Sequence, residues 1–227
     1  SKFTHIFVQN PTSKKLLNSI NYKQVTISGD TRFDRVSEIL QRDNTLTFMQ
    51  NFKGTSTCFI AGSSWPEDEK IITNYINSST SNLKYIIAPH NIKKEHIKDL
   101  KKSITKKVIC YSELNGETIT NYDVLIIDTI GLLTKIYSYA DIAYVGGGFA
   151  TGLHNTLEPA VFGIPILIGP NYKGFKEAEE LVKLKGILPI SNPTEFKELL
   201  NSFITDKELY NKTSTINKKY VSNNTGA

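Results

Sequence analysis

"TCFIAGSSWPEDEKIITNYINSSTSNLKYIIA", from Thr57 to Ala88, reads as strand, helix, strand. "TCFIA" and "KYIIA" are unbroken apolar runs of strand length, which fits strands buried on both faces of a parallel sheet. Between them "EDEKIITNYIN" is an amphipathic stretch of helix length. Two strands joined through a helix make the repeating unit of an α/β domain.

The same alternation extends in both directions. Upstream lie "THIFVQ" (Thr4–Gln9) and "QVTIS" (Gln24–Ser28); downstream lie "KVICY" (Lys107–Tyr111), "DVLIID" (Asp123–Asp128), "IAYVG" (Ile142–Gly146) and "PILIG" (Pro165–Gly169). Helical patterns separate them: "SKKLLNSI", "EHIKDLKKSI", "IGLLTKIYSYA", "TLEPAVFG" and "FKEAEELVKLKG", with "PTEFKELLNSFI" and "DKELYNKTSTINKKY" closing the chain. The pattern predicts an α/β fold, a Rossmann-like doubly wound parallel sheet of about six strands. Residues 1–30 are expected to be the end of a preceding domain and 31–227 the main one. The polar stretch from Asp43 to Gly54 is expected to be a linker or loop.

Composition sets outer limits. The chain has 227 residues, 39% hydrophobic and 22% charged, which is globular rather than disordered. Its formal charge of +5 is modest, and the lysines are scattered. Scattered charge is a solvated face, and no zinc-finger spacing or aromatic-basic run points to nucleic acid. Cys58 and Cys110 each sit in an apolar run and read as buried, reduced thiols, in keeping with a cytoplasmic setting. No apolar run is long enough to span a membrane. The chain opens on "SKFTHIF" without an initiator Met and closes on "NNTGA", so a piece of a longer protein is expected.

Ligands of open parallel sheets bind beyond the carboxyl ends of the strands. Four such ends are rich in Gly, Ser, Thr, Pro or His: "GSSWPEDE", "PHN", "TIG" and "GGFATGLHN". Gly146, Gly147, Gly148 and Gly152 match neither G-x-G-x-x-G nor a P-loop, yet loop glycines permit close backbone approach to an anion. They serve tight turns equally well. In "HNTLEPAVFG", Pro159 must fall in the first turn of a helix, which sets the start near Asn155 or Thr156. Asn155 and Glu158 then stand as a capping-box pair. Glu158 reads either as that cap or as a carboxylate accepting hydrogen bonds from paired sugar hydroxyls. His90 and His96 share no helix face, and no Cys/His cluster has metal-ligand spacing. Trp65 reads as a half-buried anchor before it reads as a binding residue.

Taken together and in order, "SGDTRFDRV", "AGSSWPEDE", "IIAPHNI", "DTIGLLTKIYSYADIAYVGGG" and "GLHNTLEPAVFGIPILIGP" resemble the 3-deoxy-D-manno-octulosonic acid (Kdo) transferases, over roughly Phe3 to Leu188. The most specific part is Asp128–Pro170. The resemblance implies the C-terminal domain of a two-domain GT-B glycosyltransferase, with residues 31–227 binding CMP-Kdo. It implies CMP contacts at Pro89, His90, Ile130, Gly131, Leu132, Asn155, Thr156, Leu157 and Glu158. It also implies phosphate or Kdo contacts at Arg32, Gly147 and Gly148. A lipid A precursor as acceptor and the cytoplasmic face of the inner membrane follow from the same resemblance, with no cofactor and no metal. The family's catalytic carboxylate lies near the start of the N-terminal domain, so no catalytic residue is expected in this chain.

Three positions depart from the family pattern. His90 stands where Arg is common, Trp65 where His is often found, and the loop around Phe149–Gly152 is one residue shorter. A GT-B enzyme of a UDP-sugar, such as an epimerase, and a non-catalytic nucleotide-binding domain are the competing readings. A diphosphate donor asks for more cationic help than one Arg and a glycine loop supply, which favours the monophosphate donor.

Overall fold

The computed structural model describes residues 3–115, 118–150 and 152–227. Its centre is a seven-stranded, all-parallel sheet. In chain order the strands are β3 (Thr57–Ser64), β4 (Leu83–Pro89), β5 (Val108–Cys110), β6 (Val124–Ile126), β7 (Ile142–Val145), β8 (Ile166–Ile168) and β9 (Ile187–Pro189). In space they run β5-β6-β4-β3-β7-β8-β9. The helices between them are α4 (Pro66–Ser78), α5 (Lys94–Ser103), α6 (Leu133–Ile136), α7 (Leu157–Ala160) and α8 (Lys176–Leu184). Two more, α9 (Pro193–Thr205) and α10 (Lys207–Ser222), follow the last strand.

The unbroken apolar runs are explained by burial on both faces. Cys58 and Ile60 of β3 join Ile86, Leu125, Val145 and Ile168 in one core. Phe59 and Ala61, the alternate residues, join Tyr85, Ile126, Tyr144 and Leu167 in the other. Strand side chains point to opposite faces in turn, so a strand covered on both sides has no polar position to show. Both cysteines are buried and unpaired.

From β3 the chain winds outward through β4 in one direction, then returns to β7 on the other side of β3 and continues through β8 and β9. The carboxyl ends of β3 and β7 therefore flank the point where the winding reverses, the crevice in which such sheets hold ligands.

Before the sheet, β1 (Ile6–Val8), α1 (Pro11–Ser19) and β2 (Val25–Ile27) form a separate two-stranded parallel pair with its crossover helix. Phe7, Leu16 and Ile20 of this unit are exposed, and α1 buries no residue. Helix α2 (Thr31–Ser37) and helix α3 (Thr47–Lys53) lead into the sheet.

Three expectations need correction. Asp43–Gly54 is not a plain linker: α3 occupies most of it, burying Met49 and Phe52, and Gly54 (φ 53°) ends it in a conformation that suits glycine. The sheet has seven strands rather than six. The seventh, β9, is three residues long and follows the left-handed Lys185 that stops α8. The helical stretches "IGLLTKIYSYA" and "TLEPAVFG" shrink to four-residue helices, the first continued by a 3-10 turn at Tyr137–Tyr139. No helix among the described residues is long and apolar enough to cross a membrane.

Candidate functional site

At the end of β3 the backbone kinks through Ser63, which has φ 53°, and the pairing with β4 shifts register there. Gly146, just past β7, donates its N–H to the Gly62 carbonyl at 2.9 Å. A Cβ on Gly146 would lie 2.3 Å from the Ser63 carbonyl oxygen, and one on Gly148 would lie 2.7 Å from Gly169 Cα. The close approach that these glycines allow is thus between protein backbones. Gly147 and Gly148 are buried, and the Gly147 N–H donates to Asp68 at 2.9 Å, so that donor is taken by the protein itself. Thr151 lies outside the described residues, so the shortened family loop falls partly outside them as well.

Asp68, in the first turn of α4, is fully buried. It accepts from the Trp65 N–H at 2.9 Å, the Gly147 N–H at 2.9 Å and the Tyr144 hydroxyl at 2.5 Å. One carboxylate thereby ties the start of α4, strand β7 and the glycine loop together. Burial, reinforced by Asp68, pushes the Tyr144 phenol well above its ordinary range.

Trp65 is more than an anchor. Its ring stacks on His90 with centroids 4.7 Å apart and planes at 16°, and its Nε1–H donates to His154 Nε2 at 3.0 Å. His90 and His154 stand 4.6 Å apart, so three rings from three loops form one cluster. An accepting Nε2 leaves the proton of neutral His154 on Nδ1. Burial, and then the neighbouring His90, lower the pKa of His154 below the ordinary value.

Glu158 lies in the first turn of α7, half-buried. Its Oε1 accepts from Asn155 Nδ2 and its Oε2 from Thr134 Oγ1, both at 3.1 Å. The expected capping box is not formed: Thr156 is the N-cap, and Asn155 Oδ1 accepts from the Leu157 N–H at 3.1 Å. With Thr156 as N-cap the third helical position is Pro159, which has neither an N–H nor a carboxylate for the reciprocal pair, and Glu158, one position earlier, turns to the Asn155 side chain instead. Thr156 and Leu157 are buried, and Thr156 Oγ1 has no partner among the described residues, so Asn155 and Glu158 are the residues of this stretch that reach the surface.

The remaining expected residues sit on the same edge of the sheet. Pro89 ends β4, buried, and His90 follows it, exposed, its N–H donating to the Ser64 carbonyl at 2.9 Å. Ile130, Gly131 and Leu132 form the loop after β6 that leads into α6, and Ile130 is 85% exposed. Through Thr134 this loop is bonded to Glu158.

Arg32 is differently placed. Its guanidinium pairs with Asp30 at 2.8 Å and with Glu177, at the start of α8, at 2.9 Å. Its hydrogen bonds to Asp30 and then to Glu177 outweigh burial and raise its pKa further. These groups line a cavity of about 220 Å³ with Asn10, Lys176 and Tyr220. Among the described residues no hydrogen bond or ion pair joins Arg32 to Trp65, to the histidines or to Glu158. Any anion it binds must compete with two carboxylates.

Sequence reading missed Asp68, His154 and Thr134. "WPED" placed Asp68 at a helix start and "HN" placed His154 beside Asn155, but their partners are far away in the chain. Thr134 carried no signal at all.

No family model matches the chain. It is 34% identical over 165 residues to the 3-deoxy-D-manno-octulosonic acid transferase of Chlamydophila psittaci, a match that takes in 71% of this chain and 37% of the relative. The chain is a relative of the Kdo transferases. The enzyme of that name from Aquifex aeolicus is 27% identical over 213 residues, covering 91% of this chain and 56% of the relative. The chain thus spans between a third and three-fifths of the length of these Kdo transferases. Among solved structures it superposes on the C-terminal CMP-Kdo binding domain of WaaA from Acinetobacter baumannii, with a TM-score of 0.66, 19% identity, and coverage of 82% of this chain and 96% of that one. UDP-GlcNAc 2-epimerase from Neisseria meningitidis bound to UDP-GlcNAc gives the same TM-score at 16% identity, covering 97% of this chain and 58% of that one. The fold is therefore the Rossmann-like C-terminal domain of GT-B glycosyltransferases.

Proposed function

We propose that this chain is the donor-binding part of a glycosyltransferase that moves Kdo from CMP-Kdo to a lipid A precursor, working at the cytoplasmic face of the inner membrane. The observation that carries the reading is Glu158. It is a partly exposed carboxylate with no cation paired to it among the described residues, held at the carboxyl edge of the sheet in a chain related to Kdo transferases. Such a group accepts the two hydroxyls of a ribose. The Pro89–His90 turn, the Ile130–Leu132 loop and Asn155–Glu158 together form the nucleotide site. Thr156 and Leu157 contribute to it by backbone, since their side chains are buried. Gly147 and Gly148 shape the wall behind the donor phosphate, and Arg32 reaches that phosphate only by leaving Asp30 and Glu177.

Residues 31–227 are this donor domain, and residues 1–30 are the end of a preceding acceptor domain. The separate β1–α1–β2 unit supports that division, because a parallel strand pair with an open apolar face is a portion of a larger sheet. The general base belongs to the preceding domain, and no residue here is assigned to it.

Calorimetry of this chain with CMP and UMP tests the reading. CMP is expected to bind more tightly. Equal binding or a preference for UMP would replace Kdo transfer with the chemistry of a UDP-sugar enzyme, which the likeness to the epimerase makes the natural second reading.

A further inference from the structure

Glu158 and Thr134 are 24 residues apart and meet side chain to side chain. Thr134 sits in the first turn of α6, immediately after the loop that carries Ile130–Leu132. At the second residue of α6 no earlier helical turn offers this hydroxyl a carbonyl, so it can bond outside the helix. Here the hydroxyl leaves its own helix and donates to Glu158 Oε2 at 3.1 Å. Asn155 Nδ2 donates to the other oxygen at the same distance. Two neutral donors, one in the first turn of α6 and one just before α7, therefore hold the carboxylate by its two oxygens.

We propose that Thr134 is a positioning residue for donor recognition: it holds Glu158 in the orientation that receives the sugar hydroxyls of a nucleoside monophosphate, and couples the α6 loop to α7. This rests on the reading of Glu158 as the ribose acceptor. A carboxylate has roughly four lone-pair directions. Thr134 and Asn155 use one on each oxygen, which leaves one on each for a vicinal diol. No ion pair has to be broken before the diol binds, because Glu158 has no cationic partner among the described residues. A free glutamate side chain would have to be ordered at the moment of binding, and preorganisation removes that cost. The bond also carries information between two loops that contact the ligand separately, so a ligand that orders Glu158 also orders the start of α6.

The test measures binding of CMP and 2′-deoxy-CMP to the wild type and to Thr134→Val, Thr134→Ala, Thr134→Ser and Glu158→Gln, each with a melting curve. The wild type is expected to prefer CMP. Thr134→Val and Thr134→Ala should weaken CMP by roughly three- to ten-fold, the effect of losing one hydrogen bond to a charged group that acts indirectly. Their affinity for 2′-deoxy-CMP should change less, so the preference narrows. Thr134→Ser keeps the hydroxyl and should restore both values, which a purely structural role of the threonine methyl would not allow. Glu158→Gln should abolish most of the preference. If Glu158→Gln abolishes it while folded Thr134→Val and Thr134→Ala keep it, the Thr134 assignment is overturned and the ribose reading stands. A wild type that binds both nucleotides alike, or neither, overturns the ribose reading and the Thr134 assignment with it.

Discussion

Two acidic side chains stand in the first turns of helices at the carboxyl edge of the sheet, and they do opposite things. Asp68 is fully buried and accepts from three protein donors on α4, β7 and the glycine loop. Glu158 is partly exposed and accepts from two side chains, one at the start of α6 and one just before α7. The first is shut away from solvent and its oxygens meet protein donors alone; the second keeps part of its acceptor capacity open to the crevice. A carboxylate of the first kind builds the walls of a site, and one of the second kind is placed to take a further donor. Both sit in an acidic first turn, so local sequence cannot tell them apart.

The contrast is broken most directly at Asp68. Asp68→Ala leaves the Trp65 N–H, the Gly147 N–H and the Tyr144 hydroxyl without their acceptor. At 1–3 kcal/mol for each unsatisfied buried group, the expected loss is on the order of 3 kcal/mol or more. Urea unfolding should show a large drop in midpoint. A loss below about 1 kcal/mol would mean that the three donors find other partners and that Asp68 is no hub.

At Glu158 the expected effect falls on binding instead. Glu158→Gln keeps the shape but loses charge-assisted acceptance, worth roughly 1.5–3 kcal/mol, or about ten- to a hundred-fold in Kd for CMP. Stability should change by well under about 1 kcal/mol, because each donor can still be met by an amide oxygen or a turned hydroxyl. Early melting with unchanged CMP affinity would reverse the comparison and leave Glu158 as a structural residue.

Trp65 and His154 lie between these extremes. Trp65→Phe keeps a ring against His90 but deletes the Nε1–H bond to His154. A loss of about 0.5–1.5 kcal/mol is expected in the same unfolding assay. An unchanged midpoint would show that stacking alone holds the cluster.

The smallest effect is a dependence on pH. His154 has a lowered pKa in the folded chain, so between that value and the ordinary one the unfolded chain binds more protons. Its contribution to stability is fully present above the ordinary histidine value near 6.5 and is lost as pH falls through the lowered folded value. Protonation of Nε2 would also remove the acceptor for Trp65. Unfolding midpoints measured downward from pH 7.5 should decline, and the slope should flatten in a His154→Gln variant. The same slope in that variant would assign the decline to other groups.

Much of the fold was legible because its strands are buried on both sides, which writes them as unbroken apolar runs whatever their neighbours are. Elements were missed where that signal was short or mixed. Strand β9 offers only Ile187 and Leu188 before Pro189 interrupts the apolar run, and α3 buries two apolar side chains, Met49 and Phe52, in an otherwise polar stretch. The resemblance to Kdo transferases placed the nucleotide on loops that the structure does bring to one edge. It did not separate glycines that face a ligand from glycines that face backbone. Gly148 is required by Gly169, which lies 21 positions further on.

By itself the sequence determined the alternation of strands and helices, the helix start before Pro159, and the concentration of polar residues at strand ends. These depend on neighbours within a turn or two: side-chain burial, the missing N–H of proline and the conformational freedom of glycine. Only the tertiary structure decided that β3 and β7 lie side by side, that Trp65 meets His154, and that Thr134 and Asn155 share Glu158. Those contacts span 89 residues in one case and 24 in another. They are set by the order in which the strands assemble, and that order follows from the packing of two cores at once rather than from any local stretch.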